Sequence, residues 1–173
     1  MQIVNLKKQR QIKMISYIGI GSNQSDPIKQ ARLAIQTLQD LPQTVMNKCS
    51  SLYSSAPMGP QDQPDYVNAV AEIETQLTAL QLLDELQKIE LSQGRVRKQR
   101  RWGPRTLDLD IILYGKEVIN NTRLTIPHYG MKVREFVIYP LLEITTNLTL
   151  PDGQSISQLS KHCDKNGLTI ISA

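Results

Sequence analysis

The stretch Gly94–Tyr114 is GRVRKQRRWGPRTLDLDIILY, in which a cationic loop precedes an apolar strand. Six Lys or Arg residues and no acidic residue lie between positions 95 and 105. Without those six, the 20 Lys and Arg of the chain fall to 14 against 16 Asp and Glu, so the rest of the chain is at −2 while the whole is at +4. This concentration of positive charge favours a site for a compact polyanion over a generally basic surface.

The strand that follows the loop carries two carboxylates on one face. Side chains alternate between the faces of a strand, so Asp108 and Asp110 point the same way, with Cβ atoms roughly 7 Å apart. Mg²⁺ usually takes one or two protein carboxylates and completes its shell with water and substrate phosphates. The pair beside an arginine-rich loop therefore indicates a site for Mg²⁺ with a polyphosphate. The alternative interpretation is a solvated strand face beside a solvated basic loop.

Length and composition predict one domain with a full core, since the chain has 173 residues and 40% of them are hydrophobic. No apolar run reaches the length of about 20 residues needed to span a bilayer, and residues 1–13 lack the apolar core of a signal peptide. We expect a cytoplasmic protein with a single domain over residues 14–173, preceded by a disordered extension or an upstream start. Cys49 and Cys163 form no metal-ligand pattern, which favours reduced, structural thiols.

Outward from Gly94–Tyr114, hydrophobic periodicity predicts the order strand, helix, strand, strand, helix, strand. The strands are predicted over residues 14–20, 45–53, 66–76 and 106–113, with a turn over residues 19–23, a proline-rich loop over residues 54–65, and helices opening at Asp26-Pro27 and Thr78. This βαββαβ order is the ferredoxin-like α+β arrangement, in which two helices cover one face of an antiparallel sheet and leave the other face open for ligands.

Two finer expectations concern the second helix and the C-terminal third. The inner face of the helix is predicted to comprise Leu82, Leu83, Leu86, Ile89 and Leu91, with Gln87 and Glu90 on the opposite side. Beyond residue 114 the pattern predicts a hairpin around Asn120-Asn121, a helix over residues 131–143, and a strand and turn over residues 148–153.

With these motifs in place, the chain resembles the 6-hydroxymethyl-7,8-dihydropterin pyrophosphokinase family over about residues 14–160. The most specific pieces are Gly59-Pro-Gln-Asp-Gln-Pro-Asp-Tyr-Val-Asn68, residues 94–110, and Leu124-Thr-Ile-Pro-His-Tyr129. The resemblance implies that pyrophosphate passes from ATP to the hydroxymethyl group of the dihydropterin in folate biosynthesis, with release of AMP. It also implies two Mg²⁺ ions, bound with the ATP.

The resemblance also implies site residues. Those nearest the reacting phosphates are Arg95, Arg105, Asp108 and Asp110, and the two aspartates are also the implied metal ligands. The implied ATP-binding residues are Gln87, Glu90, Arg97, Arg101, Trp102, Arg105, Ile111, Arg123, Thr125, His128, Tyr129 and Arg134. The implied pterin-binding residues are Ser55, Ala56, Met58, Tyr66, Asn68, Trp102, Asp108 and Phe136.

Two features of the sequence qualify the roles that the resemblance implies. Ser55, Ala56 and Met58 depart from the commoner family pattern of Thr-Pro and Leu; because that contact is made through backbone and apolar surface, we expect altered affinity more than an altered reaction. His128 is not predicted to be a general base, since the sequence shows no partner carboxylate that would orient it.

Two other classes of function depend on motifs that the sequence lacks. A ferredoxin-like RNA-binding module requires an aromatic-rich motif on a central strand, and a P-loop kinase requires Gly-x-x-x-x-Gly-Lys-Ser/Thr; neither motif occurs in the sequence. We therefore expect ATP and the dihydropterin as ligands, no nucleic-acid or membrane partner, and a monomer, since no interface stripe is evident.

Overall fold

A computed structural model describes residues 12–96 and 103–172, with eight strands and four helices in those ranges. Their bounds are β1 (Met14–Ser22), α1 (Pro27–Gln39), β2 (Thr44–Cys49), β3 (Tyr53–Ser55), β4 (Tyr66–Thr75), α2 (Ala79–Ser92), β5 (Asp108–Tyr114), β6 (Ile119–Asn120), β7 (Thr125–Ile126), α3 (Glu135–Ile144), α4 (Ile156–Lys161) and β8 (Thr169–Ile170).

The main sheet has the strand order β5-β1-β4-β3-β8, and β2 pairs with β4 beside β3. The pairings are antiparallel, with β1 lying between β4 and β5. This is the predicted α+β ferredoxin-like topology. It brings β5, which carries Asp108 and Asp110, next to the first strand of the chain.

The first two helices begin where local signals place them. Asp26 accepts a hydrogen bond from Lys29 N at the start of α1, where Pro27 fits the first turn. Thr78 and Gln81 form a reciprocal capping box at the start of α2. Both helices bury leucine and alanine side chains against one face of the sheet. Leu91, predicted to lie on the inner face of α2, is instead 56% exposed.

Two strand predictions needed correction. β1 continues through Ser22, so the predicted turn over residues 19–23 is mostly extended strand. The single strand predicted over residues 45–53 is interrupted, and β2 and β3 are separate. Ser50 causes the break, because its backbone N–H donates to Val70 O and its hydroxyl accepts from Val70 N, both at 2.9 Å, which replaces regular ladder pairing.

The second face of the sheet is partly covered, contrary to the expectation of an open face. A second buried cluster packs Ile138 and Leu141 of α3 against Tyr17, Val70 and Ile112 of the sheet. α3 begins at Glu135, later than predicted, because residues 128–133 form turns with hydrogen bonds such as Met131 N to His128 O at 3.0 Å. What stays open on this face is a pocket beside the N-terminal end of α3.

The C-terminal third is only partly as predicted. The hairpin is confirmed as β6 and β7, whose turn is closed by Asn121 Oδ1 accepting from Arg123 N and Leu124 N. Of the strand and turn predicted over residues 148–153, the turn is present at residues 151–152, but the strand is reduced to a single bridge between Thr149 and Ser155. α4 and β8 were not anticipated. Within residues 12–96 and 103–172, no helix is long and apolar enough to cross a membrane.

Candidate active site

A pocket of about 320 Å³ opens on the second face of the sheet, between the strands and the start of α3. Its floor is formed by β1, β4 and β5, where Gly21 lies opposite both Asn68 and Asp108. Gly19 and Gly21 contribute no side chain to this floor. The ends of β1, β4 and β5 that carry Gly21, Asn68 and Asp108 therefore meet at the pocket.

Asp108 lies at the centre of an ion-pair network. Arg95 Nη1 lies 2.7 Å from Asp108 Oδ1, and Arg105 Nη1 pairs with Asp108 Oδ2. Arg95 follows the end of α2, whereas Arg105 comes just before β5. Two segments separated in sequence therefore place their guanidinium groups on opposite oxygens of one carboxylate.

Glu90 anchors the Arg95 side of this network. It is 2% exposed, and its Oε1 accepts from Leu109 N at 2.8 Å and from Arg95 Nη1. The prediction that Glu90 lies on the side of α2 away from the core is therefore wrong. Its carboxylate joins α2 to β5 and fixes the guanidinium of Arg95 at the edge of the pocket.

Asp110 faces the same pocket in a different environment. Its side chain is 42% exposed, and its Oδ2 lies 3.6 Å from His128 Nε2. Partial desolvation and the negative charges of Asp108 and Glu90 raise the pKa of Asp110 above its ordinary value. The two aspartates that look equivalent in the sequence therefore differ, since Asp108 pairs directly with Arg95 and Arg105, whereas the charges of Arg134 and Arg105 only partly offset the raised pKa of Asp110.

His128 is held as a neutral ring. Burial and the positive charge of Arg134 lower the pKa of His128 to about 4. Gly130 N donates to its Nδ1 at 3.2 Å, so the neutral ring carries its proton on Nε2, towards Asp110. Sequence analysis expected no carboxylate beside His128, whereas the structure places Asp110 there. The lowered pKa makes the ring a weak base.

Polar groups from β3 and β4 form the other end of the pocket. Asn68 Nδ2 donates to Ser55 Oγ at 2.8 Å, and both side chains are buried. Tyr66 donates from its hydroxyl to Gly103 O at 3.2 Å, across the pocket mouth to the segment that leads into β5. These contacts give this end fixed hydrogen-bonding groups.

The start of α3 closes the pocket on the remaining side. Arg134 donates from Nη2 to the Tyr129 hydroxyl at 3.1 Å, and its guanidinium carbon lies 5.8 Å from the centre of the Phe136 ring. Phe136 and Tyr129 both line the pocket. An aromatic face and a third guanidinium therefore stand beside the two aspartates.

The sequence model described as 7,8-dihydro-6-hydroxymethylpterin-pyrophosphokinase (HPPK) matches residues 17–146. The chain belongs to the HPPK family.

Relatives and solved structures agree with this assignment. The chain is 60% identical to 2-amino-4-hydroxy-6-hydroxymethyldihydropteridine pyrophosphokinase of Haemophilus influenzae over 84% of this chain and 91% of that protein. It is 48% identical to the Pseudomonas aeruginosa enzyme of the same name over 88% and 93%, respectively. A crystal structure of Plasmodium falciparum HPPK-DHPS with pterin and p-hydroxybenzoate matches with a TM-score of 0.70 at 11% identity, over 90% of this chain. The wild-type form gives 0.68 at 11% identity over 87% of this chain.

The chain spans 45% of those two HPPK-DHPS chains, and at this identity the likeness concerns the fold alone. The HPPK fold of this chain is thus supported by sequence relatives and by distant structures.

Most of the site residues implied by the HPPK resemblance line the pocket. They are Ser55, Ala56, Met58, Tyr66, Asn68, Gln87, Glu90, Arg95, Arg105, Asp108, Asp110, His128, Tyr129, Arg134 and Phe136. Arg97, Arg101 and Trp102 lie outside the described residues.

Three other implied ATP-binding residues do not line the pocket. Ile111 is buried in the core cluster beneath α1 and α2, so its side chain points away from the open face. Arg123 pairs with Asp84 of α2, and Thr125 is exposed in β7. Their implied roles therefore do not follow from the pocket geometry.

Sequence reasoning missed the residues that hold the pocket walls together. Asn23 is 1% exposed and links two loops: its Nδ2 donates to Gln63 Oε1 and Pro64 O, both at 3.1 Å, and its Oδ1 accepts from Arg105 N at 2.8 Å. The Gly19-x-Gly21 spacing was interpreted as a turn, although period-two glycines at a strand end also indicate a floor without side chains.

The donor set suits a divalent metal that arrives with phosphate. Among the residues that the structure describes, no group of three or more His, Cys, Asp or Glu side chains could hold a metal ion. Asp108 and Asp110 supply two carboxylates on one strand face, beside guanidinium groups that match phosphate oxygens. Mg²⁺ commonly takes this few protein ligands when substrate phosphates provide the rest. The residues present therefore fit the implied Mg²⁺.

Proposed function

We propose that this HPPK transfers the terminal pyrophosphate of ATP to the hydroxymethyl group of 6-hydroxymethyl-7,8-dihydropterin, giving the pterin diphosphate and AMP. The chain is a pyrophosphokinase of folate biosynthesis by its family and its named relatives. The observation that carries the residue-level proposal is the meeting of Asp108, Asp110, Arg95, Arg105 and Asn68 around one pocket. No feature of the described residues favours the RNA-binding alternative.

The metal proposal concerns Asp108 and Asp110. These carboxylates would hold two Mg²⁺ ions, which would offset the negative charge of the phosphates as pyrophosphate is transferred. A divalent cation beside Asp110 also favours its ionised form, in which both carboxylates can act as ligands.

We propose that Arg95 and Arg105 exchange the carboxylate of Asp108 for the phosphate groups of ATP. In the structure Arg95 and Arg105 pair with Asp108, so their guanidinium groups already lie at the pocket edge. When phosphate oxygens enter, the same forks can bind them bidentately while Glu90 keeps Arg95 in place. Pre-positioned charge of this kind stabilises the transition state without reorganisation at the moment of reaction.

The pterin is proposed to occupy the end formed by β3, β4 and α3. The Asn68 carboxamide suits the amide-like edge of the pterin ring, and Phe136 offers a flat apolar surface for stacking. This places the hydroxymethyl group towards the aspartates. The neutral ring of His128 has little basicity at pH 7, so we assign the reaction to alignment and charge neutralisation, with no side chain as general base.

Analysis of the nucleotide product tests this function. The protein is mixed with ATP, Mg²⁺ and 6-hydroxymethyl-7,8-dihydropterin, and a parallel sample omits the pterin. AMP formed only with the pterin is the expected result. ADP would indicate an ordinary kinase, and AMP formed equally without the pterin would indicate hydrolysis. We further propose that the enzyme acts in the cytoplasm as a monomer. Light scattering of the purified protein tests the oligomeric state.

A further inference from the structure

Gly130 and Arg134 lie at the two ends of the turn that leads into α3. The turn is closed by a hydrogen bond from Val133 N to Gly130 O at 3.3 Å. Arg134 is the last residue before α3 and is only 8% exposed. Its side chain runs back over the turn, where Nη2 donates to the Tyr129 hydroxyl at 3.1 Å.

The side chain of Arg134 occupies the space that any side chain at position 130 would need. A Cβ built on Gly130 would lie 2.9 Å from Arg134 Cδ, and closer still to Nε and Cζ. Atoms in a packed protein do not approach one another this closely, so a Cβ at position 130 would displace the guanidinium. Arg134 therefore keeps this position because residue 130 is glycine.

In this position the guanidinium is held between aromatic rings at the pocket wall. Its Cζ lies 4.9 Å from the centre of the Tyr129 ring and 5.8 Å from that of the Phe136 ring. Arg134 lines the same pocket as Asp108 and Asp110. A guanidinium that is already held in place loses little freedom when it binds phosphate oxygens, which favours affinity.

We infer that Gly130 is a positioning residue that acts through Arg134, because its missing side chain leaves the space from which the guanidinium meets the phosphates of the nucleotide. The inference deepens the proposed function, on which it rests. A side chain at position 130 would push the guanidinium away from this wall and from the Tyr129 hydroxyl. The nucleotide would then lose a charge-assisted partner, whereas the pterin, proposed to bind through Asn68 and Phe136, would keep its contacts.

Equilibrium binding of a non-hydrolysable ATP analogue with Mg²⁺ compares Gly130→Ala with the wild type. We expect the Kd to rise about tenfold, as the loss of one hydrogen bond to a charged group would cause. The KM for the pterin at saturating ATP should change by less than about twofold, since the pterin does not depend on this guanidinium.

The fold should tolerate this substitution. The φ of Gly130 lies outside the left-handed region, and the atoms that must move are the far end of a flexible side chain. The urea unfolding midpoint should therefore be unchanged. Val133→Ala is the matched control, because Val133 is exposed, lies in the same turn and does not line the pocket. It should bind the analogue as the wild type does.

A double-mutant cycle separates positioning from a direct effect of the added methyl group. In an Arg134→Ala background, Gly130→Ala should change the Kd by less than about twofold, since the guanidinium that it displaces is gone. Equal effects of Gly130→Ala in both backgrounds, on affinity or on stability, would overturn the inference, and so would an unchanged Kd in Gly130→Ala alone. The proposed function is tested separately by AMP formation in the wild-type protein, because the inference is measured by nucleotide binding.

Discussion

Arg95 and Asp108 are joined by a 2.7 Å ion pair between Nη1 and Oδ1, across the gap between the end of α2 and the start of β5. Arg105 occupies the other oxygen of Asp108, whereas Asp110 has no described arginine within ion-pair distance. The sequence presents two equivalent aspartates on one strand face. The fold gives them different electrostatic surroundings, and their substitutions should therefore differ.

Asp110→Ala should abolish metal-dependent turnover and leave the fold intact. Removing one of two metal carboxylates should lower kcat by on the order of 100-fold or more, as the loss of a single charge-stabilising group does in other enzymes. The free energy of unfolding should change by less than about 0.5 kcal/mol, because the carboxylate is partly exposed and is repelled by Asp108 and Glu90. AMP formation and urea unfolding measure the two effects.

Asp164→Ala provides the matched control, since Asp164 is exposed and does not line the pocket. It should leave both measurements unchanged. Normal turnover in Asp110→Ala would contradict the assignment of Asp110 as a metal ligand.

Arg95→Ala should destabilise the protein more than Arg105→Ala does. Arg95 is a cationic partner of the buried Glu90, and loss of that partner should cost about 2 to 3 kcal/mol. Loss of Arg105 leaves Asp108 with Arg95, at a cost of about 1 kcal/mol or less. Urea unfolding at pH 7 compares the two variants; equal costs would show that Glu90 does not depend on Arg95.

The same Arg95 variant should lower turnover more than it weakens nucleotide binding, if its guanidinium acts mainly in the transition state. Equilibrium binding of a non-hydrolysable ATP analogue with Mg²⁺ gives the affinity, and AMP formation gives kcat. A fall in affinity with unchanged kcat would make Arg95 a ground-state anchor.

Gly21→Ala should impair binding of the pterin without harming the fold. A Cβ at this position would meet Asn68 Oδ1 at 3.6 Å and Asp108 Cβ at 4.0 Å, both ordinary contacts, so the strand accepts it. The methyl group would occupy the pocket floor, and the KM for the pterin should rise several-fold with an unchanged unfolding midpoint. An unchanged KM would place the pterin away from Gly21. Gly19→Ala is the contrasting variant, because its Cβ would lie 3.0 Å from Ile112 Cδ1 and force a side chain to move.

A sequence prediction was correct where the feature depends on neighbouring residues, and it was wrong where the feature depends on contacts with distant parts of the chain. Asp108 and Asp110 were placed correctly on one face because strand periodicity is local, and Thr78 and Gln81 marked the start of α2 because capping is local too. Glu90 was misplaced because a carboxylate is ordinarily expected on the solvent side of a helix, although its spacing from Leu86 puts it on the buried stripe of α2. Its burial depends on Arg95 and Leu109 N, and no spacing rule brings those partners together.

The interrupted second strand and the covered face of the sheet have a similar cause. Ser50 ends β2 through bonds to Val70, a residue distant in sequence. Sequence analysis predicted a helix in this region, but the packing of α3 on Val70 and Ile112 depends on tertiary structure. The contact of Asn68 with Ser55 likewise needed the register of β3 on β4.

Glu143→Gln should lower the free energy of unfolding at neutral pH and have little effect on it at acidic pH. Glu143 of α3 accepts hydrogen bonds from Ser51 N at 2.9 Å, Ser51 Oγ at 2.8 Å and the Tyr53 hydroxyl at 2.6 Å. Burial alone would raise the pKa of Glu143, but these donors outweigh it and lower the pKa below the ordinary 4.5. A carboxylate whose pKa is lowered by folding stabilises the folded state above its unfolded pKa, and this stabilisation is lost as the pH falls through the folded pKa.

The free energy of unfolding of wild type and Glu143→Gln is measured by urea at a series of pH values from 7 downwards. The wild type should be more stable at pH 7 by less than about 1 kcal/mol, since Glu143 is exposed and its interactions are screened. The difference should shrink as the pH falls below 4.5, the ordinary value of the group. Tyr53→Phe, which removes one donor, should reduce the pH-dependent part of the difference. A stability difference between wild type and Glu143→Gln that stays constant with pH would mean that the shape of the side chain, and not its charge, links α3 to β3.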